Sequence, residues 1–587
     1  MRSTRIACVL RTGVAVAALA LAAGCGSEPE RDLPPRASSS SAADPSDSGE
    51  PEPHPSDGEG RTRILPDAPV RVSSWGSWTV EWVAGPSGLT AGGAAVLQVS
   101  PFWGWSPPQT GQPESPGYTT ANCSAPGATL QVEESGIPMS VLARVTGGRL
   151  APGDTLRFVY GDTAAGGPRA LARADRYAEA FEELLIKTDG NGDGYFVAPP
   201  DQPTLTIVPD PVAYLAVAAP AVVEPGRPFV VAVHGLDPLG NRAELPDGDL
   251  RLSVRRLATG GDPLSEAGVE IPVDWTRRAG GAHGTVTVSE PGLYRLEATH
   301  AGGVGDAEAL AGRGDLLLVE ADSPFAGILW GDIHCHSALS DGTGAPDDLY
   351  SFARDVAGLD VCVVTDHDAH GLFPLAERGG WDTIRRATRD AYEPGKFVTL
   401  LGYEWTNWTY GHRNVYYPGM EGEVFAWLDP ASDSPEELWE KIAPFGGMTV
   451  AHHPGGGPIA QDWSVPTDSE RETVVEICSI HGSSEEMGVE GGIYRPVPTG
   501  MVRHAFNQGH ELGILASGDT HDGHPGRRTA GAPTNGLAAF RAGERTREAV
   551  WDAMRDRNVY GTSGARILLA TDWGGQRTGV RRDREPD

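Results

Sequence analysis

The chain has 587 residues and a mass of 61.8 kDa, which is enough for about four domains of about 150 residues each. Hydrophobic residues make up 39% of it, so the chain can form several cores and is not disordered throughout. The formal net charge of −32 argues against binding of nucleic acid or anionic lipid through the general field of the protein.

The first residues have the features of an export signal. Three arginines precede an apolar run, residues 14–23, which is too short to span a bilayer as a permanent helix. Small residues and Cys25 follow, and this end resembles that of a bacterial lipoprotein signal peptide covering residues 1–24. The resemblance implies that Cys25 is lipidated. We therefore expect an exported protein that is lipid-anchored to the outer face of the cytoplasmic membrane or in the periplasm. An ordinary signal peptide with a coincidental cysteine is the alternative.

Two β-rich segments are predicted after a linker. Residues 25–69 are rich in Ser, Pro and acidic residues and predict a disordered tether. In residues 70–205, short runs of alternating apolar and polar residues are separated by Gly and Pro, which predicts a β-rich domain. Residues 206–320 carry further alternating runs and predict an immunoglobulin-like β-sandwich. Neither segment shows a pattern typical of a catalytic site.

One loop in the first β-rich segment matches the start of a calcium-binding EF-hand. Asp189, Asn191 and Asp193 occupy the first, third and fifth positions of that pattern. The twelfth position is Pro200, where a bidentate glutamate is required. A tight polar turn is therefore favoured over a calcium site in this loop.

The pattern changes near residue 322, where strand-like apolar runs begin to alternate with helix-like segments. The predicted strands are 327–336, 359–367, 397–405, 448–453, 473–480 and 512–521, and the predicted helices are 346–357, 434–443 and 546–558. Successive strand–helix units are typical of a mainly parallel sheet. Their number predicts a closed α/β barrel over residues 322–575, followed by a disordered tail, residues 576–587.

Polar residues stand at the ends of the predicted strands. His334 and His336 end the first strand, His367 the second, Glu404 the third, His453 the fourth, and Asp519 and His521 the last. The carboxyl ends of barrel strands form the active site, so these side chains are expected to converge. Cys335 points to the other side of its strand, which argues against thiolate ligation. Imidazole and carboxylate ligands suit Zn, Mn or Fe(II), and this many ligands imply more than one ion.

These residues resemble the motifs of the PHP (polymerase and histidinol phosphatase) superfamily of metallohydrolases. The similar motifs are His334-Cys-His336, Ser340-Asp341-Gly342, Thr365-Asp366-His367, Gly402-Tyr-Glu404, Gly411-His412, His453-Pro454 and Ser517-Gly-Asp519-Thr-His521. They lie within residues 325–565, under half of the chain. Residues 411–417 and 480–485 resemble an exported, largely uncharacterised family that is loosely related to carbaryl-type ester hydrolases.

The resemblance implies a distorted seven-stranded barrel with a trinuclear metal centre. By this resemblance one ion is held by His334, His336, Glu404 and Asp519, a second by Glu404, His412 and His453, and a third by Asp341, His367 and His521. His452 is the alternative to His453. The expected cofactors are two to three divalent ions of Zn, Mn or Fe.

The expected chemistry is hydrolysis by a metal-bridging hydroxide, because two close divalent ions lower the pKa of a shared water. Arg413 is predicted to bind a substrate anion, with a structural salt bridge as the alternative. His481 is predicted to protonate the leaving group, with a structural role as the alternative. The predicted function is therefore a membrane-tethered phosphoesterase acting on a small-molecule or polymer-derived ester. Hydrolysis of a carboxylic ester, carbamate or amide is the first alternative, and a non-catalytic binding lipoprotein is the second.

Overall fold

The computed structural model describes residues 54–100, 104–258, 268–278, 280–301, 309–370, 373–375, 379–529, 531–570, 572–573 and 576–577. The predicted signal peptide, Cys25 and most of the predicted tether and tail lie outside these residues. Within the described residues the protein is multidomain. Its N-terminal part consists almost entirely of β-strands, and the longer helices lie in the C-terminal part.

The N-terminal β-rich region contains two four-stranded antiparallel sheets around one core. In spatial order the first consists of Arg61–Leu65, Trp78–Val83, Thr155–Tyr160 and Thr119–Cys123, and the second of Leu185–Asp189, Ala94–Gln98, Ser140–Gly147 and Thr129–Glu134. Smaller sheets pair Ala172–Arg173 with Trp75–Gly76, and Thr204–Val208 with both Glu179–Glu183 and Val70–Arg71. Apolar residues at alternate positions, such as Val80 and Trp82, fill the core, as period-two alternation requires.

Both predicted boundaries of this region differ from the structure. The strand Arg61–Leu65 lies inside the predicted tether, because its short alternating run pairs with Trp78–Val83 and buries Ile64. The predicted boundary at residue 205 falls inside the strand Thr204–Val208, which belongs to the N-terminal region through its pairing. The loop at Asp189 forms a polar turn, since its carboxylate accepts hydrogen bonds from Gly192 N (2.6 Å) and Gly194 N (2.9 Å).

The next region is a sandwich of two five-stranded sheets. One contains Tyr214–Ala218, Phe229–Leu236, Arg242–Ala243, Thr276–Arg278 and Gly281–Val286, and the other Val222–Val223, Asp249–Leu257, Val269–Ile271, Gly292–Ala301 and Leu310–Val319. Val231, Leu252 and Leu296 are buried in the core between the two sheets. The architecture is that of a β-sandwich, and its immunoglobulin-like character stays a prediction.

The C-terminal domain holds two further five-stranded sheets. In spatial order the first consists of Val398–Thr399, Val361–Val364, Ile328–Cys335, Leu537–Arg541 and Val559–Thr562, and the second of Leu401–Trp405, Arg413–Tyr417, Met448–Ala451, Val474–Glu476 and Gly513–Leu515. The helices are Pro346–Ser351, Gly380–Ala391, Pro435–Ile442, Val502–Gln508 and Arg547–Arg555. Among the described residues, no helix combines the length and apolarity needed to cross a membrane.

The sheets of this domain are mixed, whereas the sequence predicted a mainly parallel, closed, seven-stranded barrel. Ile328–Cys335 is parallel to Val361–Val364 but antiparallel to Leu537–Arg541, and Arg413–Tyr417 is antiparallel to both of its neighbours. Fully buried strands have apolar runs whatever their direction, so the sequence pattern did not distinguish the two arrangements. Single parallel bridges, His367 to Glu404 and Cys335 to Thr520, connect strand ends between the sheets and bring the predicted metal ligands together.

Candidate metal centre

The structure brings all nine predicted ligands together in one buried cluster. Their ring nitrogens and carboxylate oxygens form overlapping groups in which the ligand atoms lie within 4.8 Å of one another. Three of the groups contain all nine predicted ligands, and they are His334, His336, Glu404 and Asp519; His336, Asp341, His367 and His521; and His412, His452 and His453. A fourth group, His334, His452 and Glu476, overlaps the first and the third. All of these side chains are buried. Binding of metal by them stays a prediction, but their convergence is a structural fact.

The first group converges on Nε2 of His334. This atom lies 3.1 Å from Nε2 of His336, 3.2 Å from Oε2 of Glu404 and 3.3 Å from Oδ1 of Asp519. His334 and His336 reach the same point because residues two apart in an extended chain share a face. Two imidazoles and two carboxylates at these separations offer four ligand atoms to one ion.

The second group surrounds Oδ1 of Asp341. That oxygen lies 3.3 Å from Nε2 of His521, 3.4 Å from Nε2 of His367 and 3.8 Å from Nδ1 of His336. His336 therefore faces both groups, one with each ring nitrogen, whereas the family resemblance assigned it to the first ion alone. The two groups are adjacent parts of one site.

The third group contains both members of the His452-His453 pair. Oε1 of Glu404 lies 2.8 Å from Nδ1 of His412 and 3.1 Å from Nε2 of His452, and Nε2 of His453 lies 3.3 Å from Nδ1 of His412. Both histidines are thus within reach of the same position, and the choice between them as the ligand stays open. Glu404 contacts the first group with Oε2 and the third with Oε1, as expected of a bridging ligand.

The ring orientations fit divalent metal ions. In four of the histidines one ring nitrogen faces the cluster while the other faces an oxygen that holds the ring. These contacts are His334 Nδ1 with Glu476 Oε2 (3.1 Å), His367 Nδ1 with Thr406 Oγ1 (2.7 Å), His453 Nδ1 with Ile459 O (3.2 Å) and His521 Nδ1 with Asp519 O (2.8 Å). Nitrogen and oxygen ligands held in this way suit Zn, Mn or Fe(II).

Histidines and carboxylates in the cluster shift one another's pKa values in opposite directions. Burial would raise the pKa of Glu404, but the neighbouring His367 and His452 hold it well below its usual value. Burial would lower the pKa of His334, but Asp519 and Glu476 raise it well above its usual value. The carboxylates are thus ready to bind cations, and an arriving metal ion would compete with protons at His334 and His367, whose pKa values are raised, whereas burial lowers the pKa of His412 and His453.

Two buried aspartates hold the segments that carry the ligands. Asp332 accepts hydrogen bonds from Ser517 Oγ (2.7 Å), Gly518 N (2.8 Å), Thr520 Oγ1 (3.1 Å) and Gly526 N (2.9 Å). These bonds fix the segment around Asp519. The sequence analysis missed Asp332, although an acidic residue inside an apolar strand is a usable signal, since such a residue is rarely buried without a purpose.

Asp366 does the same for the loop that leads to Asp341. It accepts hydrogen bonds from the backbone N of Ser337 (2.8 Å), from its Oγ (2.6 Å) and from Ser340 Oγ (2.6 Å). Asp366 has the strand parity opposite to that of His367, so it points away from the ligand cluster and orients the neighbouring loop instead.

Two ligand candidates have strained backbones. His453 has a φ of 34° and Asp519 has a φ of 54°, in the left-handed region that non-glycine residues rarely occupy. Such conformations cost about 1–3 kcal/mol each and persist where surrounding contacts enforce them, often at functional sites. The fold therefore imposes the positions of these two side chains before any ion binds.

The two predicted catalytic residues have different placements. Arg413 is buried, donates from Nε to Glu472 Oε2 (2.8 Å), and lies over the ring of Trp405. Arg413 pairs with Trp405 in the sheet, one position along from the pair of Glu404 and Asn414. Since successive residues of a strand point to opposite faces, Arg413 points to the face opposite to that of the candidate ligand Glu404. Arg413 thus forms the structural salt bridge that was the alternative, and the placement gives no support to substrate binding.

His481 lies at the edge of the cluster. Its Nε2 is 3.0 Å from Asp519 Oδ2. Its side chain is 21% exposed, whereas the candidate metal ligands that lie within 4 Å of an oppositely charged group in the cluster are 9% exposed or less. Its ring also contacts those of His453 and Tyr494, with centroids 5.3 Å and 5.6 Å away. The position joins the buried ligands to solvent.

Comparison with known proteins gives a family of unknown function and uncharacterised relatives. Residues 365–453 and 518–578 match the family described as "Protein of unknown function (DUF3604)", which is less than half of the chain. An uncharacterized protein of Chlamydia trachomatis serovar D is 22% identical over 470 residues, covering 76% of this chain and 70% of that protein. A similar protein of Chlamydia muridarum is 22% identical over 477 residues, with the same coverage.

Solved structures give only distant likenesses. A two-domain protein from Bacteroides vulgatus, described as containing a predicted PHP-like metal-dependent phosphoesterase, has 14% identity and a TM-score of 0.30. The match covers 41% of this chain and 66% of that one. The Escherichia coli adhesin FdeC has 17% identity and a TM-score of 0.17, covering 47% and 69%. Neither score supports an argument about fold or activity, so the site's own geometry has to carry the functional proposal.

Proposed function

We propose that the C-terminal domain is a metal-dependent hydrolase with a multinuclear centre, and that it acts as a phosphoesterase. The observation that carries the proposal is the convergence of the nine predicted His, Asp and Glu side chains, seven of them predicted from strand ends, within one buried cluster. The motif resemblance to PHP metallohydrolases supports the choice of phosphate esters over other substrates. It also supports the predicted distorted seven-stranded barrel, of which the two mixed sheets would be parts.

The three groups divide the proposed metal binding among this chain's residues. The group around His334 would hold one ion, the group around Asp341 another, and Glu404 would connect the first to a third ion near His412. When bound, divalent ions supply a nucleophile from water at neutral pH and neutralise charge on substrate oxygens. Asp332 and Asp366 keep the ligand-bearing segments in place.

His481 is proposed to deliver the proton to the leaving group. It is a proton-carrying side chain beside the cluster that reaches solvent, and Asp519 Oδ2 fixes its Nε2 side. An imidazole can both accept and donate a proton, which suits it to general acid catalysis. Arg413 has no part in this proposal, because Glu472 and the aromatic rings around it occupy its guanidinium.

A substrate panel on one metal-loaded preparation tests the function. We expect the full chain, supplied with Zn, Mn or Fe(II), to hydrolyse p-nitrophenyl phosphate or bis-p-nitrophenyl phosphate. The variant His334→Ala with His336→Ala removes two ligands and should lose bound metal and all hydrolysis together. His510→Ala is the matched control, because His510 bonds Trp463 O and Thr467 Oγ1 in the same domain, and it should keep both.

Each other outcome of the panel has a definite meaning. Turnover of p-nitrophenyl acetate or aryl carbamates but not of phosphate esters would establish the first alternative, an ester or carbamate hydrolase. Metal binding without hydrolysis of any substrate would favour the non-catalytic binding protein. Hydrolysis retained in the metal-poor double variant would refute a metal mechanism altogether.

We also propose, from the sequence alone, that the protein is exported and anchored through lipid on Cys25. Metabolic labelling with a radioactive fatty acid is the test, with Cys25→Ser expected to remove the label and release the protein. Cys123→Ser is the matched control and should keep the label, since Cys123 lies in the strand Thr119–Cys123 of the N-terminal region. Unchanged labelling of the Cys25→Ser variant would refute the anchor.

A further inference from the structure

A second group of buried ionisable side chains lies in the N-terminal β-rich region. Asp175, Glu179 and Glu182 are 0%, 6% and 4% exposed. One carboxylate oxygen from each lies within 4.8 Å of the others. None of the three forms a recorded ion pair with Lys or Arg in the part of the chain that the structure describes. Among the described residues, these three acidic groups therefore share a buried space without an ion-paired Lys or Arg, although the charge of the adjacent Arg176 lowers the pKa of Asp175 against the stronger effect of burial.

An irregularity in the sheet brings the two glutamates together. In a regular strand, residues three apart point to opposite faces. Glu179 pairs with Ile207 while Glu182 pairs with Leu205, so the pairing register shifts between them. An inserted residue of this kind reverses the facing of everything beyond it. Glu179 and Glu182 consequently face the same side, where Asp175 joins them.

Each carboxylate is oriented by one hydrogen-bond donor. Asp175 Oδ1 accepts from Tyr177 N (2.8 Å), Glu179 Oε2 from Gly344 N (2.9 Å), and Glu182 Oε1 from Trp105 Nε1 (2.6 Å). Asp175 Oδ2 and Glu179 Oε1 are buried and accept no hydrogen bond from any donor among the residues that the structure describes. A buried carboxylate oxygen without a partner is costly, so these two oxygens indicate a missing positive species.

We infer that Asp175, Glu179 and Glu182 bind a calcium ion where the N-terminal region meets the C-terminal domain. Calcium takes oxygen ligands at about 2.3–2.6 Å, so two of its ligands can be at most about 4.6–5.2 Å apart. The limit of 4.8 Å between the three oxygens is compatible with that spacing. An all-oxygen set excludes the softer metals favoured by imidazole, and magnesium would demand a stricter octahedral site. This inference does not depend on the proposed hydrolase function.

Space and charge agree with the inference. A cavity of about 300 Å³ adjoins the cluster and is lined by Glu179, Gly344 and Asp348, among other residues, so water can reach the ion as a further ligand. Without an ion, burial and the negative charge of Glu179 raise the pKa values of Asp175 and Glu182 well above their usual range. Protons shared between the carboxylates are therefore the alternative way to neutralise them.

The site would connect the two parts of the molecule. Gly344, which donates to Glu179, lies three residues after Asp341, a candidate ligand of the metal centre. An ion that fixes Glu179 would also fix the end of the loop that Asp366 holds at Ser337 and Ser340. The calcium site is thus expected to stabilise the junction without taking part in hydrolysis.

The experiment measures calcium binding in a chain whose metal centre is disabled. The full chain with His334→Ala and His336→Ala is the background, so failure of the hydrolase proposal leaves the result readable. We expect equilibrium dialysis against Ca²⁺ to give one ion per chain, and the melting temperature to rise with Ca²⁺. Adding Asp175→Asn or, separately, Glu182→Gln should abolish both effects. Glu183→Gln removes one charge from the same strand and is the matched control that should keep them.

A spectroscopic readout keeps the test informative if one variant folds poorly. Tb³⁺ replaces Ca²⁺ in oxygen sites and emits when a nearby indole is excited, and Trp105 contacts Glu182 directly. We expect tryptophan-sensitised Tb³⁺ emission that Ca²⁺ suppresses in the background chain and that Glu182→Gln lacks. Calcium binding equal in the background and the Asp175→Asn variant would overturn the inference. So would stabilisation by Asp175→Asn with no calcium bound in either chain, which would indicate shared protons.

Discussion

Two buried groups of ionisable side chains, one in each part of the molecule, differ in composition and in how their charges are balanced. The C-terminal cluster mixes imidazole with carboxylate, and its histidines hold the pKa of Asp341 and of Glu404 well below the usual values against the effect of burial. The N-terminal cluster contains carboxylates only, and burial raises the pKa of Asp175 and Glu182 instead. At similar depth, the carboxylates of the two clusters therefore have pKa values shifted in opposite directions.

The difference shows what each cluster requires from its surroundings. Imidazole and carboxylate groups neutralise one another, so the C-terminal cluster can keep its charges in a folded protein without bound metal ions. Carboxylates alone cannot, so the N-terminal cluster must take up either protons or a cation. The first arrangement suits exchangeable catalytic ions, and the second suits a structural ion. The following predictions test this contrast, starting with the largest effect.

We expect proton transfer during hydrolysis to depend on the C-terminal cluster and not on the N-terminal cluster. His481→Gln keeps a donor for Asp519 but cannot transfer a proton, so we expect turnover to fall by about 10²–10⁴-fold while metal content is unchanged. The loss should be larger for an alkyl phosphate than for p-nitrophenyl phosphate, because p-nitrophenolate leaves without protonation. Steady-state kinetics on both esters, with His510→Gln as the control, provide the measurement. Equal losses on both esters would assign His481 a structural role.

Residues that position ligands should matter more for the C-terminal cluster than for the N-terminal cluster, because the candidate ligands of the C-terminal cluster come from segments far apart in the chain. Asp332→Asn keeps the shape of the side chain but gives its amide nitrogen a donor where an acceptor is needed. We expect metal affinity to weaken by about 10–100-fold, as for other residues that orient metal ligands. Titration with Zn²⁺ against a chromophoric chelator measures the change. Asp360→Asn is the control and should bind Zn²⁺ normally, because Asp360 is a partly buried aspartate that accepts a hydrogen bond from Trp330 N in the strand of Asp332 but contacts none of the candidate ligands in the recorded bonds. An unaffected Asp332→Asn variant would contradict the positioning role.

The smallest effect concerns the stability of the carboxylate cluster without calcium. Folding raises the pKa values of Asp175 and Glu182, so the folded state holds more protons than the unfolded state. The contribution of these bound protons to the free energy of unfolding is complete below about pH 4, near the unfolded-state pKa values. It is lost as the pH rises through the raised folded-state pKa values. Two chains are compared, the variant with His334→Ala and His336→Ala and the same variant with Asp175→Asn added. As the pH increases, the melting temperature of the first chain should therefore fall relative to that of the second. Each unit of pKa shift corresponds to about 1.4 kcal/mol, or a few degrees. Added Ca²⁺ should remove the pH dependence, and parallel curves without Ca²⁺ would contradict it.

The convergence of the candidate ligands could be predicted from the sequence because much of its signal is local. His334 and His336 share a strand face by parity, and five further candidates end apolar runs, whereas Asp341 and His412 were implied only by the family resemblance. The neighbours of Arg413 could not be predicted, since its burial depends on Glu472, which is 59 residues away and has no motif. Strand direction was missed for a similar reason, because the apolar runs at Leu537–Arg541 and Arg413–Tyr417 have no directional signal.

The carboxylate cluster was missed because it depends on an irregularity. Read as a regular strand, Glu179 and Glu182 lie on opposite faces, and Asp175 stands in a loop before them. Only the shift in pairing with Thr204–Val208 brings the three together. The sequence has no signal for this shift, so the N-terminal region read as purely structural.

The hydrogen bond from Gly344 to Glu179 also has a consequence for the order in which the protein is made. The two residues are 165 positions apart, and a ribosome releases the N-terminal partner first. At about 5–20 residues per second, Glu179 waits roughly ten to thirty seconds for its donor. During that interval the β-rich region has to keep three acidic side chains together without the backbone N–H that later orients one of them. A bound cation would neutralise the three carboxylates during that interval, before the donor from Gly344 is available.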